Sequence, residues 1–152
     1  SDFLAKYSTE SDPELRSTLL GVLTNSKAHP TELLDLLEKP EIVRPQDHVY
    51  LFAYLLRNHK TKSAATAWFY SHWDYVKSLT GEKSLSDYIS FSASSVRNDE
   101  ESSAFNDFCS TISSEPGFAR AISVGKSAIA SRLRLIMMDN ADVHRHLKSL
   151  KF

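Results

Sequence analysis

Residues 45–58 read Pro-Gln-Asp-His-Val-Tyr-Leu-Phe-Ala-Tyr-Leu-Leu-Arg-Asn. Proline fits the first turn of a helix, where its missing N–H would have had no partner, and Asp47 sets a negative charge at the positive end of the helix dipole. From Val49 to Leu56 every residue is apolar. One apolar stripe marks a surface helix, whereas apolar residues all round mark a helix covered on several sides. The segment therefore predicts a central helix with the other elements packed around it. It is far shorter than the roughly 20 apolar residues that cross a bilayer, so it reads as core.

Working outward, Asp12-Pro13-Glu14 predicts a helix opening with Asp12 as the cap, followed by Leu15, Leu19, Leu20 and Leu23 at helical spacing. Pro30-Thr31-Glu32 opens a short helix bearing Leu33, Leu34, Leu36 and Leu37, which Pro40 closes, and these two helices are expected to form a hairpin. On the other side, one long helix is expected from Thr61 to Thr80. Ala65, Phe69, Trp73 and Val76 form its stripe, with Trp68, Tyr75 and Leu79 beside it and Gly81 as the stop. Ser84-Leu85-Ser86-Asp87 resembles a capping box ahead of Tyr88, Ile89 and Val96. Asn98-Asp99-Glu100-Glu101 reads as an acid-rich start, and Phe105, Phe108, Cys109 and Ile112 follow the i, i+3, i+4, i+7 rule. Pro116 is expected to open the longest helix, to about Met138, with Phe118, Ile122, Gly125, Ile129, Leu133 and Ile136 aligned; a last helix carries Val143, Leu147 and Leu150. The expectation is an all-α fold of about eight helices, arranged as antiparallel hairpins in a HEAT- or armadillo-like superhelical array. Residues 1–152 are read as one helical domain.

Composition agrees and narrows the function. Four Gly and five Pro in 152 residues favour helices over turns and strands. Lys plus Arg number 18 against 19 Asp plus Glu, a net charge of −1, without the basic surplus that nucleic-acid or membrane-surface binding needs; neither partner is expected. The lone Cys109 and the absence of an Asn-x-Ser/Thr sequence suit a reducing compartment, read as cytoplasm. The chain starts Ser1-Asp2-Phe3 without Met, so a piece of something longer is expected.

No catalytic constellation emerges. None of the six histidines stands in an HExxH helix, and His144 and His146, two apart on a helix, face different ways and cannot share a metal. Gly125-Lys126-Ser127 mimics the end of a P-loop but lies mid-helix without the earlier glycine. Cys109 sits on an apolar stripe as a small hydrophobe, and Asp99, Glu100 and Glu101 serve the helix dipole. The aromatic run Trp68, Phe69, Tyr70, Trp73 and Tyr75 reads mainly as core, with a ligand platform as the alternative. Arg57, Arg120, Arg132 and Arg134 are the candidates for holding carboxylates through bidentate hydrogen bonds.

Several stretches carry a resemblance: Leu51-Phe52-Ala53-Tyr54-Leu55-Leu56-Arg57-Asn58, then Ala67-Trp68-Phe69-Tyr70-Ser71-His72-Trp73-Asp74-Tyr75-Val76, then Tyr88-Ile89-Ser90, the segment 100–108, and Val143-His144-Arg145-His146-Leu147. In this order they resemble the C-terminal helical domain of M1-family zinc aminopeptidases, over roughly residues 13–150. The family's long helix often carries a Glu and a Trp where Ser127 and Leu135 stand here. The resemblance implies a fragment that is not catalytic by itself. It would lack the zinc-binding helix, which lies in an upstream catalytic domain, and would form a bowl of helix hairpins that covers the active-site chamber and contacts the distal part of peptide substrates. Arg57, Arg120 and Arg134 are the expected peptide contacts. Zinc belongs to the upstream domain, which is itself an expected partner. The competing reading is a free-standing HEAT-like scaffold that binds a protein segment.

Overall fold

The computed structural model describes residues 2–149. Among them the chain is all-α, with nine α-helices, one 3-10 turn and no strand. It divides into two compact units, with the boundary between Ser95 and Val96.

The first unit holds α1 (Asp2–Thr9), α2 (Pro13–Thr24), α3 (Pro30–Asp35) with a 3-10 turn (Leu36–Glu38), α4 (Pro45–Arg57), α5 (Lys62–Ser71), α6 (Trp73–Leu79) and α7 (Glu82–Ser95). As the sequence predicts, α4 is central and packs against α2, α5, α7 and the 3-10 turn. Val49, Leu51, Phe52, Ala53, Leu55 and Leu56 are buried, and Tyr50 is the apolar residue of the run that faces solvent. Phe52 lies 5.0 Å from the rings of both Phe69 and Tyr88, which stack 5.4 Å apart. Each fully buried ring contributes on the order of 2 kcal/mol.

The cap of α2 forms as expected, with Asp12 Oδ1 accepting from the N–H groups of Glu14 (2.8 Å) and Leu15 (3.3 Å). α2 lies mainly against α1 and α4, so it does not close the expected hairpin with α3. The helix α1, which hydrophobic spacing did not predict, packs on α2 and buries Tyr7. The Tyr7 hydroxyl donates to Asp47 Oδ2 at 2.8 Å and accepts from the Arg44 N–H at 3.3 Å. Burial and then the bond to Asp47 push this hydroxyl up to about 12. Buried Arg16 stands on the same carboxylate, with Nε 3.4 Å from Asp47 Oδ2, and its Nη1 donates to the carbonyls of Glu10 and Ser11.

Two expected boundaries shift. The helix expected over Thr61 to Thr80 is broken at His72, whose ψ of 29° leaves the helical region. Ser71 Oγ donates to the carbonyls of Ala67 and Trp68, and His72 Nδ1 lies 2.9 Å from the Trp68 carbonyl; such side-chain bonds compete with the helical ladder. Gly81 does not close α6 in a left-handed conformation. Its carbonyl accepts the Leu85 N–H at 3.2 Å, so it opens α7, and Ser84 falls inside the helix where no capping box can form.

The second unit contains α8 (Asp99–Thr111) and α9 (Ala119–Ser149), packed together. Asn98 caps α8 by accepting the Glu101 N–H at 2.8 Å, and Glu101 Oε2 accepts the Arg97 N–H at 2.7 Å. Phe105, Phe108, Cys109 and Ile112 are all buried, as their spacing predicts. Pro116 does not begin the long helix. Gly117 takes a left-handed φ of 95°, and the first helical bond runs to the Phe118 carbonyl. The helix then continues to Ser149, so the two expected C-terminal helices are one: residues 138–149 contain neither Pro nor Gly. Leu150 and the Leu147 side chain lie outside the described residues.

Replacing fully buried Phe52 by Ala is expected to cost about 3–5 kcal/mol, and Asp12→Ala about 1 kcal/mol. Urea unfolding checks both through the midpoint at unchanged slope. A Phe52→Ala loss below about 1 kcal/mol would contradict the central place of α4.

Candidate functional site

The 3-10 turn, α5 and α6 bring Glu38, Trp68, His72 and Tyr75 to one partly exposed face. The Trp68 indole N–H donates to Glu38 Oε1 at 2.8 Å. His72 stacks on the indole with centroids 5.0 Å apart and an interplanar angle of 11°, and its Nε2 is 3.7 Å from the same oxygen. Tyr75 meets Trp68 edge-on at 6.0 Å. Burial first, then the charges of Glu38 and Glu41, raise the Tyr75 hydroxyl above its ordinary value. Carboxylate oxygens beside aromatic rings can hold a polar or cationic group; they form no nucleophile–base pair.

Beneath this face lies the buried pair His48 and Tyr88. The Leu37 carbonyl can only accept, so His48 Nε2–H donates to it at 2.7 Å, and Nδ1 therefore accepts from the Tyr88 hydroxyl. Burial lowers the His48 pKa and raises that of Tyr88. Both groups are thus neutral, and their bonds are structural. Phe69 and Trp73 join the core, whereas Trp68, Tyr70 and Tyr75 are only half-buried. The run therefore divides between core and surface.

Arg57, Arg120 and Arg134 are all exposed. Arg57 ends α4, with its guanidinium 5.5 Å from the Tyr54 ring centre. Arg120 and Arg134 lie on one side of α9, about 21 Å apart at 1.5 Å per residue. The arginines that the structure does bring together are Arg97 and Arg132, whose Nη1 atoms both donate to the Val96 carbonyl, at 2.8 and 3.2 Å. Nothing in the local sequence marks Arg97, because this contact joins residues 35 positions apart.

Among the described residues no group of His, Cys, Asp and Glu could hold a metal, and no helix is long and apolar enough to cross a membrane. Cys109 is buried, and its thiol is pushed up to about 11. An apolar groove of about 280 Å³ lies between α1, α2 and α3, lined by Phe3, Leu4, Val22, Leu23, Leu33 and Leu36. On α9, Val124, Leu135, Met137, Met138 and Val143 are more than half exposed.

The described residues are thus all-helical, with half-exposed aromatics on the face of α5 and α6. The family model for the ERAP1-like C-terminal domain matches residues 1–131, and the chain belongs to that family. It is 28% identical over 120 residues to aminopeptidase N of Lactococcus lactis subsp. lactis (strain IL1403), covering 78% of this chain and 14% of that protein. Aminopeptidase N of Lactobacillus helveticus is 26% identical over 136 residues, 88% of this chain and 16% of the relative. That of Lactobacillus delbrueckii subsp. lactis is 26% identical over 141 residues, with shares of 91% and 17%. The chain thus spans about a sixth of the length of the curated relatives it matches. The resemblance to the C-terminal domain of M1 aminopeptidases is borne out.

The pH dependence of stability follows from His48. Its folded pKa lies below the unfolded value near 6.5, so the unfolded chain takes up the proton first. The His48 contribution is complete above about pH 6.5 and declines as pH falls toward the lower folded pKa. Calorimetry between pH 8 and 5 should show a falling Tm whose slope is reduced in His48→Gln. An unchanged slope in that variant would remove His48 as the cause.

Proposed function

We propose that this chain is the substrate-enclosing C-terminal part of a longer, zinc-dependent M1 aminopeptidase. It covers the active-site chamber and contacts the distal part of peptide substrates, and it is not catalytic alone. The observation that carries this reading is the family match over residues 1–131, together with similarity to three proteins named aminopeptidase N. Zinc would reside in an upstream catalytic domain, where it would supply Lewis-acid chemistry for peptide hydrolysis.

This chain's own contribution is surface. Stacked helix pairs present broad faces on which a peptide or a neighbouring domain can lie. The exposed arginines Arg57, Arg120 and Arg134 supply forked donors for carboxylates and carbonyls along the peptide. The exposed apolar residues of α9 give the remainder of the parent chain an area to cover. The free-standing scaffold is the outcome that the test below would favour if the proposal failed.

The test is hydrolysis of a panel of aminoacyl-anilides by the 152-residue chain and by the encoded parent, each with zinc and with a chelator. The expected result is cleavage by the parent alone, abolished by the chelator. Cleavage by the short chain, or an inert parent, would overturn the proposal. Within the active parent, Arg57→Ala, Arg120→Ala and Arg134→Ala are expected to raise KM for long peptides severalfold while leaving single-residue anilides unchanged.

A further inference from the structure

We infer that Glu38 and His72, with Tyr75 beside them, form a binding site for a primary ammonium group on the first unit. The His72 tautomer sets the site. His72 Nδ1 lies 2.9 Å from the Trp68 carbonyl, which can only accept, so Nδ1 carries the hydrogen. Ser71 Oγ, also 2.9 Å from Nδ1, sends its own hydrogen to the carbonyls of Ala67 and Trp68 and so accepts from the ring. In the neutral imidazole Nε2 is then a bare acceptor. It faces a second acceptor, Glu38 Oε1, across 3.7 Å. Both atoms are held in place, Oε1 by the Trp68 indole N–H at 2.8 Å and the imidazole by stacking on the same indole at 5.0 Å. Two facing lone-pair atoms leave a place for a donor, and with side chains 41% and 60% exposed a donor from solution can reach it.

A primary ammonium has the donors that this arrangement lacks. One of its three N–H groups reaches Nε2 and a second the remaining lone pair of Oε1, the latter as a charge-assisted bond. A guanidinium fork matches the two oxygens of one carboxylate, whereas here the acceptors belong to different side chains and the indole already occupies one oxygen. An anion would meet acceptors alone. Tyr75 stands edge-on to the indole, and the charges of Glu38 and Glu41 add to burial in raising its hydroxyl, so the field beside the ring favours a cation. The ammonium comes either from a lysine side chain of a peptide or from a free alkylamine. Only the peptide source rests on the proposed function.

The His72 ring and Trp68 indole N–H signals of the 152-residue chain report on the site by NMR. Titrations at pH 8, at constant ionic strength set by sodium chloride, use butylammonium, tetramethylammonium, the end-capped peptide Ala-Ala-Lys-Ala-Ala, and the same peptide acetylated on its lysine. Saturable shifts are expected with butylammonium or the lysine peptide. Neither tetramethylammonium, a cation without N–H, nor the acetylated peptide, which has lost its charge, should bind. The tighter of the two amines identifies the source. Glu38→Gln and His72→Arg should each weaken binding at least tenfold, the arginine because it puts a fixed cation where the acceptor stood, whereas Glu32→Gln, at the separate pair with His29, should leave it unchanged. If His72→Arg disturbs the break between α5 and α6, the exposed Glu38→Gln carries the test. No saturable shift with either amine, the result if a second proton on His72 or water alone fills the gap, would overturn the site. So would equal binding of tetramethylammonium, or unchanged affinity in Glu38→Gln. Hydrolysis by the parent is read separately, so failure of one inference does not mimic failure of the other.

Discussion

The first unit depends on burying a helix that has almost no polar face. α4 places six apolar side chains out of water, and with them one imidazole, that of His48. A buried ring with two nitrogens costs stability unless both are bonded. One bond goes to the Leu37 carbonyl of the 3-10 turn and the other to the Tyr88 hydroxyl of α7. The ring therefore fixes two neighbours against α4, and Tyr88 passes the constraint on by stacking on Phe69 of α5. Apolar burial supplies most of the free energy here, whereas this polar pair sets the register. The same placement determines the surface above. Because Leu37 is tied down, Glu38 comes within reach of the Trp68 indole.

What was legible in the sequence is what local signals encode. Pro45 and the run from Val49 to Leu56 mark α4; Asp12-Pro13-Glu14 marks the start of α2; Asn98 and the spacing of Phe105, Phe108, Cys109 and Ile112 mark α8. Caps and periodicity act over a few residues, so they survive without knowledge of the fold. The break at His72 does not, because it couples a ring stacked on Trp68 with a serine bonding back to its own helix. Gly81 shows a different limit: a glycine between two helices suits the end of one or the start of the next, and only the Leu85 bond decides. Near residue 140, the polar stretch Asp139-Asn140 suggests a boundary. Without Pro or Gly it costs the helix too little to end it.

Function was legible to a different depth. The order of aromatic helices pointed to the family, and the match over residues 1–131 bears it out. The partners of individual arginines were not legible in the same way, because they depend on which distant residues fold beside each one. Arg120 and Arg134 share a helix face and yet stand four turns apart, beyond joint reach of one carboxylate. Arg97 and Arg132 share a carbonyl although 35 residues separate them. Sequence spacing can place side chains around one helix, whereas convergence between elements is a tertiary property.

The last helix links these levels. Successive residues on α9 advance about 100°, so Val124, Leu135 and Met138 fall on one side, within about 60° of each other. Gly125, Ile129 and Ile136 fall on another, about 120° away. The second set contains the buried positions Gly125 and Ile129, as a helix packed on α8 requires. The first set is more than half exposed at each position. A surface helix needs one apolar stripe, and a helix with two is built to be covered twice. On α9 the packed stripe meets α8, and Leu135 stands at the centre of the exposed one.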